Sequence, residues 1–209
     1  MAENSARDRI LADIRAALRT TPADKPPLPA AIARPSFSDN DRFRAFVQRL
    51  EAVAGTWEEV AKAADVPKAV AAYAAQHELE KQVAVAPALA HLDWDAAGLK
   101  IDTQAPAPAR QLGLTEAVCA VAETGTLVLS SSADHPTTLN FLPEYHLVVM
   151  HKDSLVTHLE DAWQLMRQHH QVWPRTVNLV TGPSRTADVE QTIQLGAHGP
   201  RSLHVLIVA

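Results

Sequence analysis

Residues 176–208 read TVNLVTGPSRTADVEQTIQLGAHGPRSLHVLIV. An apolar strand over Thr176–Val180 passes through a Gly-Pro turn into a predicted helix over residues 186–196. A GAHGP loop follows, and a strand over Ser202–Val208 closes the stretch. The last strand is apolar almost throughout, as expected of a strand buried on both faces. Strand, helix and strand in that order predict an α/β fold with a largely parallel sheet covered on both sides. Ligands of open α/β sheets bind where strands hand over to helices. Unpaired N–H groups at a helix N-terminus favour an anion there. The turn Gly182-Pro183-Ser184-Arg185-Thr186 is therefore the first place to look for a site.

The same alternation extends upstream. HLVVM (146–150) and TLVLS (126–130) read as strands, and Val156–His169 as a helix with Leu159, Ala162, Trp163 and Met166 on one face. Thr115–Val121 reads as helical or looped. Residues 91–110 are mixed, with short strands and a Pro106/Pro108 loop, and Val83–Ala86 is a short strand. Phe43, Phe46, Val47 and Leu50 recur at helical spacing, with Gly55 placed to stop that helix. Thr56-Trp57-Glu58-Glu59 has the spacing of a capping box. Asp65-Val66-Pro67 starts an alanine-rich helix running to about Glu78. Residues 1–19 form an amphipathic arm, expected to dock on the body or on a partner subunit. Five prolines over residues 20–40 make an extended linker. The domain proper is 41–209.

Composition narrows the function. The chain has 209 residues, enough for one good core, and its net charge of −5 offers no reason to expect nucleic acid. One cysteine, Cys119, excludes an intrachain disulfide and a thiolate-ligated iron–sulfur cluster held by this chain alone. No apolar run is long enough for a transmembrane helix, and charges interrupt any signal-peptide core, so a cytoplasmic protein is expected. The ten histidines show no HExxH, HxH or Cys/His pairing, so no metal site is expected. There is also no P-loop, no GxGxxG after a strand and no GxSxG elbow.

Four clusters carry candidate chemistry, each with a plainer reading beside it. In AETGTLVL (122–129), Glu123 precedes a Thr124-Gly125-Thr126 turn. It is a candidate base, nucleophile or hydroxyl-binding group, or simply a cap or ion-pair partner. In HPTTLNFLPEYH (135–146), Thr137, Thr138, Asn140 and His146 offer hydrogen bonds to an anion, although a solvated loop is the favoured reading. In TGPSRTADVE (181–190), Ser184, Thr186 and Asp188 are explained by helix capping. Arg185 is not, because a cation opposes the positive helix end unless an anion is bound. In GAHGPRSLH (196–204), His198 and Gly199 lie in a loop that could reach a ligand, whereas His204 reads as structural.

AETGTLVL, LPEYHLVV, LEDAW and TGPSRTADVEQTIQLGAHGPRSLHVLIV together resemble the lactate utilisation protein C, or LUD-domain, family from about Leu112 to Ala209. The resemblance implies a three-layer α/β/α, Rossmann-like fold of the NagB/RpiA/CoA-transferase type. Members are encoded with two iron–sulfur proteins and implicated with them in oxidising L-lactate to pyruvate. It thus implies a subunit of an iron–sulfur L-lactate utilisation system, with clusters in partner subunits and none in this chain, and the Ser184–Thr186 turn adds the expectation of a small anionic ligand. Glu123, Thr124 and Gly125 match one family motif. Gly182, Ser184, Thr186, Asp188 and Glu190 match another, followed by His198, Gly199 and Pro200. Many relatives carry a Gly/Arg-rich stretch before LPxxH. This chain has no arginine there, which leaves Arg185 to supply positive charge. The wider fold class suggests an alternative, an autonomous acyl-CoA transferase or sugar-phosphate isomerase using Glu123. A third reading is an assembly protein whose motifs serve only caps and turns.

Overall fold

The computed structural model describes residues 6–19, 34, 36–104, 111–169, 172–186 and 194–209. The chain divides into two compact units, Met1–Pro35 and Ser36–Ala209. In the first, α1 (Ala6–Arg19) is amphipathic, with Ile10 and Ile14 exposed on its apolar face.

The second unit opens with α2 (Asp39–Ala52), capped by Ser38, whose Oγ accepts from the Asp41 N–H. The helix ends in a Schellman motif: Gly55 N donates to Leu50 O and Ala54 N to Glu51 O. Ala54, at φ 65°, takes the left-handed position. Gly55 serves close packing instead, since a Cβ there would lie 2.4 Å from Leu50 Cδ1.

Then follow β1 (Thr56–Val60), α3 (Val66–Gln76), β2 (Gln82–Val85), β3 (Lys100–Asp102), β4 (Leu112–Glu116), β5 (Cys119–Val121), β6 (Thr126–Ser130), β7 (Tyr145–His151), β8 (Leu155–Val156), α4 (Leu159–His169), β9 (Val177–Val180), β10 (Arg185–Thr186), β11 (Gln194–Leu195) and β12 (Ser202–Val208).

The central sheet has six strands in the order β1-β12-β7-β4-β2-β3, all parallel. Side-chain alternation gives it two buried faces. Leu112, Leu114, Leu147, Val149, Leu206 and Val208 pack against Val66, Val70, Tyr73 and Ala74 of α3. On the other face Val148, Met150, Leu203, Val205 and Ile207 meet Phe46, Val47 and Leu50 of α2. The expected α/β class and mostly parallel sheet are what the chain forms.

A second sheet shares the α2 layer. Its order is β8-β5-β6-β9, with β6 antiparallel to both β5 and β9. Leu127 and Leu129 face the α2 core, while Val128, Cys119 and Val121 face Ala162 and Met166 of α4. Strands β6 and β9 therefore leave the parallel sheet to which their apolar sequences pointed.

Three local expectations change. Thr56–Glu59 is not a helix start but edge strand β1, with Thr56 opposite His204. Residues 115–121 are not helical: β4 ends at Glu116 and β5 runs over Cys119–Val121, with a two-residue link at Ala117 and Val118 between them. The predicted helix over 186–196 is replaced at both of its described ends by an antiparallel pair, Arg185 opposite Leu195 and Thr186 opposite Gln194. Cross-strand pairing satisfies backbone groups that a helix would have satisfied locally.

Candidate functional site

The TGPSR and GAHGP loops lie back to back. Ser184 N donates to Pro200 O at 2.8 Å, and Gly196 N donates to Ser184 O at 3.0 Å. Together they wall a cleft of about 330 Å³. Its floor is His146 and Leu203, at the starts of the neighbouring strands β7 and β12. Asn140 and Phe141 form one side, Leu179–Arg185 a second, and His198–Pro200 a third. Among the described lining residues Arg185 alone is permanently charged, and no carboxylate is present. Arg185 and His198 are exposed.

His146 is 1% exposed, and its Nε2 lies 2.7 Å from Thr115 Oγ1. Its Nδ1 is buried and has no partner. Burial pulls its pKa down to about 4, so the ring is neutral at physiological pH. A buried ring nitrogen without a partner costs about 1–3 kcal/mol unless something meets it. The ring belongs to the cleft lining.

The AETGT turn touches this cleft at one edge only. Thr126 Oγ1 lies 2.6 Å from Thr181 Oγ1, which belongs to the cleft wall, and donates to Thr124 Oγ1 at 2.7 Å. Glu123 is not among the lining residues. Its Oε1 accepts from Leu159 N at 2.9 Å and its Oε2 from His158 Nδ1 at 2.8 Å. Glu123 thereby anchors the first turn of α4. Gly125 (φ 68°) and Gly182 (φ 85°) both press on the C-terminal end of α2. A Cβ at Gly125 would sit 2.8 Å from Leu50 N, and one at Gly182 would sit 2.8 Å from Val53 O.

The structure thus brings together His146, Gly182, Ser184, Arg185, His198 and Gly199. Thr124 and Thr126 stand beside that group. Thr138 is exposed in a short 3-10 turn (Thr137–Asn140) and is not a lining residue. Arg185 and Thr186 form β10, paired with Gln194 and Leu195, where the sequence predicts a helix start. Asp188 and Glu190 fall outside the described residues. Asn140, Phe141, Leu179, Thr181 and Pro200 complete the cleft although sequence reasoning gave them no binding role, or only a weak one in the case of Asn140. The apolar members carry no chemical signal, and only the meeting of β9 with the β7 and β12 starts assembles them.

A further cluster sits at the carboxyl ends of β4 and β7. His151 Nε2 donates to Glu116 Oε1 at 3.1 Å, and His135 Nε2 lies 3.5 Å from Oε2. The two imidazoles hold the Glu116 carboxyl below the usual carboxylate range, against the opposing effect of burial. One histidine on each oxygen is a bracket and not a chelate. Among the described residues no group of three is arranged to hold a metal ion. Burial raises the Cys119 thiol to about 11, so it stays protonated and inert. No described helix is long and apolar enough to cross a membrane.

The domain is a parallel six-stranded α/β fold with a cleft beside the starts of β7 and β12, where Arg185 is the one arginine or lysine among the described lining residues. The chain belongs to the LUD domain family, whose sequence model matches residues 43–208. It is 33% identical over 100 residues to the lactate utilization protein C of Bacillus subtilis, covering 46% of this chain and 42% of that one. To the protein of the same name from Anoxybacillus flavithermus it is 31% identical over 115 residues, covering 55% of this chain and 51% of that one. An uncharacterised Neisseria meningitidis protein is 36% identical over 96 residues, covering 46% and 41%. The matches span about half the length of these relatives. A crystal structure of a DUF162 family protein from Deinococcus radiodurans shares the fold, with a TM-score of 0.61 at 20% identity over 83% of this chain and 100% of that one.

Proposed function

We propose that this chain is the LUD-domain component of a lactate-utilisation system, and that its cleft holds a small anionic ligand. The observation that carries the ligand is the pairing of a partnerless His146 Nδ1 at the floor with Arg185 as the one permanent charge of the described wall. A carboxylate would meet the Arg185 guanidinium at the opening, where paired N–H groups suit two oxygens. A hydroxyl or carbonyl on the same molecule would reach His146 Nδ1, with Ser184 and Asn140 as further hydrogen-bonding groups. The relatives named for lactate utilisation support the pathway. Electron transfer would fall to iron–sulfur partner subunits, since one buried cysteine cannot ligate a cluster.

The test is titration of the purified chain with L-lactate and with pyruvate, followed by NMR. Saturable shifts are expected, with affinity lowered about tenfold in Arg185→Ala. Dye-linked lactate oxidation should require added cluster-bearing subunits. Robust oxidation by the chain alone would refute the accessory role. Unchanged affinity in Arg185→Ala would refute the anion site.

A further inference from the structure

The starts of β7 and β12 have a second face. Alternation sends His146 and Leu203 toward the cleft described above, and sends Tyr145, Ser202 and His204 toward α3. There a separate cleft of about 380 Å³ opens between α3 and the sheet edge. Three rings run in series along it. Tyr73 and His77 have centroids 4.2 Å apart and a tilt of 34°, and Tyr73 and His204 have centroids 4.7 Å apart and a tilt of 35°. Tyr73 Oη and Ser202 Oγ lie 2.9 Å apart, and His204 Nδ1 lies 2.8 Å from Thr56 Oγ1.

The charge pattern is the reverse of the first cleft. Glu58 is the one permanently charged lining residue, and no lysine or arginine is among them. Its carboxylate lies 3.4 Å from His204 Nε2 and its side chain is 43% exposed, so one flank faces solvent. Burial lowers the pKa of His204, against the raising effect of Glu58, so this ring does not neutralise the carboxylate at physiological pH. Arg201, near Tyr145, is held by Glu144 at 2.8 Å and is not a lining residue. His77 is exposed and presents its ring at the opening. Tyr73 is buried and stacked against both His77 and His204, so the exposed His77 ring is the face open to a flat ligand, and a cation attached to that ligand is favoured by the Glu58 carboxylate.

We propose that this cleft is a second binding site, for a small protonated amine carried on a flat aromatic ring, with the ammonium at Glu58 and the ring against His77. The site is independent of the anion cleft and does not rest on the lactate reading. Its position behind the start of β12 places the two ligands on opposite faces of one sheet.

The full chain would be titrated with tryptamine and, separately, with indole-3-propionate, which carries the same ring with the opposite charge. Saturable NMR shifts centred on Tyr73 and His77 are expected with tryptamine and not with the acid. Glu58→Gln and His77→Ala should each weaken tryptamine by about two- to fivefold, while Arg185→Ala should leave it unchanged. Both altered side chains are exposed, and thermal melts would confirm that the variants fold. No saturable shift up to the solubility of tryptamine would overturn the site. Equal binding of the acid, or binding indifferent to Glu58→Gln, would do the same.

Discussion

Glu123 Oε2 accepts a hydrogen bond from His158 Nδ1 at 2.8 Å, with the histidine side chain only 10% exposed, and the other oxygen of the same carboxylate caps the Leu159 N–H. The acidic residue of AETGT is thus spent on seating α4 against β5 and β6. Glu123→Ala should destabilise the domain by about 1–2 kcal/mol, as loss of a part-buried cap and charge-assisted hydrogen bond does. Denaturant unfolding would show it, and anion affinity in the cleft should be preserved. Loss of binding with unchanged stability would contradict this placement.

His146 predicts an acid weakness. Its folded pKa of about 4 lies below the ordinary histidine value, so between those two points the unfolded chain takes up a proton that the native chain refuses. The native state therefore loses stability as pH falls through that window, by up to about 3 kcal/mol. Chemical unfolding at about pH 7 and about pH 4.5 should show a smaller acid loss in His146→Gln than in the parent chain. Equal losses in the two proteins would show that His146 is not the source.

Glu116 works in the same direction at lower pH. Its carboxyl is held down by His135 and His151, so the stability it contributes is present above the ordinary carboxylate value and lost as pH falls through its lowered folded value. Glu116→Gln should lower the melting temperature at neutral pH and reduce the difference between neutral and strongly acid conditions. An unchanged melting temperature at neutral pH would show that the two imidazoles do not stabilise the fold through this carboxylate.

Gly125 and Gly182 couple the two signature turns to one helix end. Either glycine changed to alanine places a Cβ 2.8 Å from α2 backbone atoms at a positive φ. Each substitution should cost about 2–3 kcal/mol, combining left-handed strain with overpacking. Gly98→Ala is the control: its φ is also positive, at 69°, but nothing lies within 4 Å of the added Cβ. It should cost only about 1 kcal/mol. Equal losses at all three positions would show that backbone strain alone, not contact with α2, accounts for the effect.

Several elements were legible in the residues because their signals are local. The apolar runs at 126–130, 146–150 and 202–208, the Pro67 helix start and the Phe43–Leu50 spacing all correspond to elements that form. Local signals failed where two structures share one vocabulary. Thr56-Trp57-Glu58-Glu59 fits a capping box and also an edge strand, and pairing with β12 decides for the strand. Cys119–Val121 is too short to declare itself without β6 and β8 beside it. At 185–195, capping residues suggested a helix, while the described ends pair across strands.

From the sequence alone came the α/β class, the family motifs and six of the residues that meet in the cleft, because periodicity, glycine positions and charge are properties of short stretches. Tertiary structure decided which motif residues share a cavity. Glu123 and Arg185 look equally chemical in the linear chain, yet the fold turns one carboxylate toward α4 and leaves the guanidinium at the cleft. It also placed β6 and β9 in their own sheet and set two clefts on opposite faces of β12. Those outcomes rest on contacts between residues far apart in the chain. Their energies come from burial and cross-strand pairing, which no local window of sequence contains.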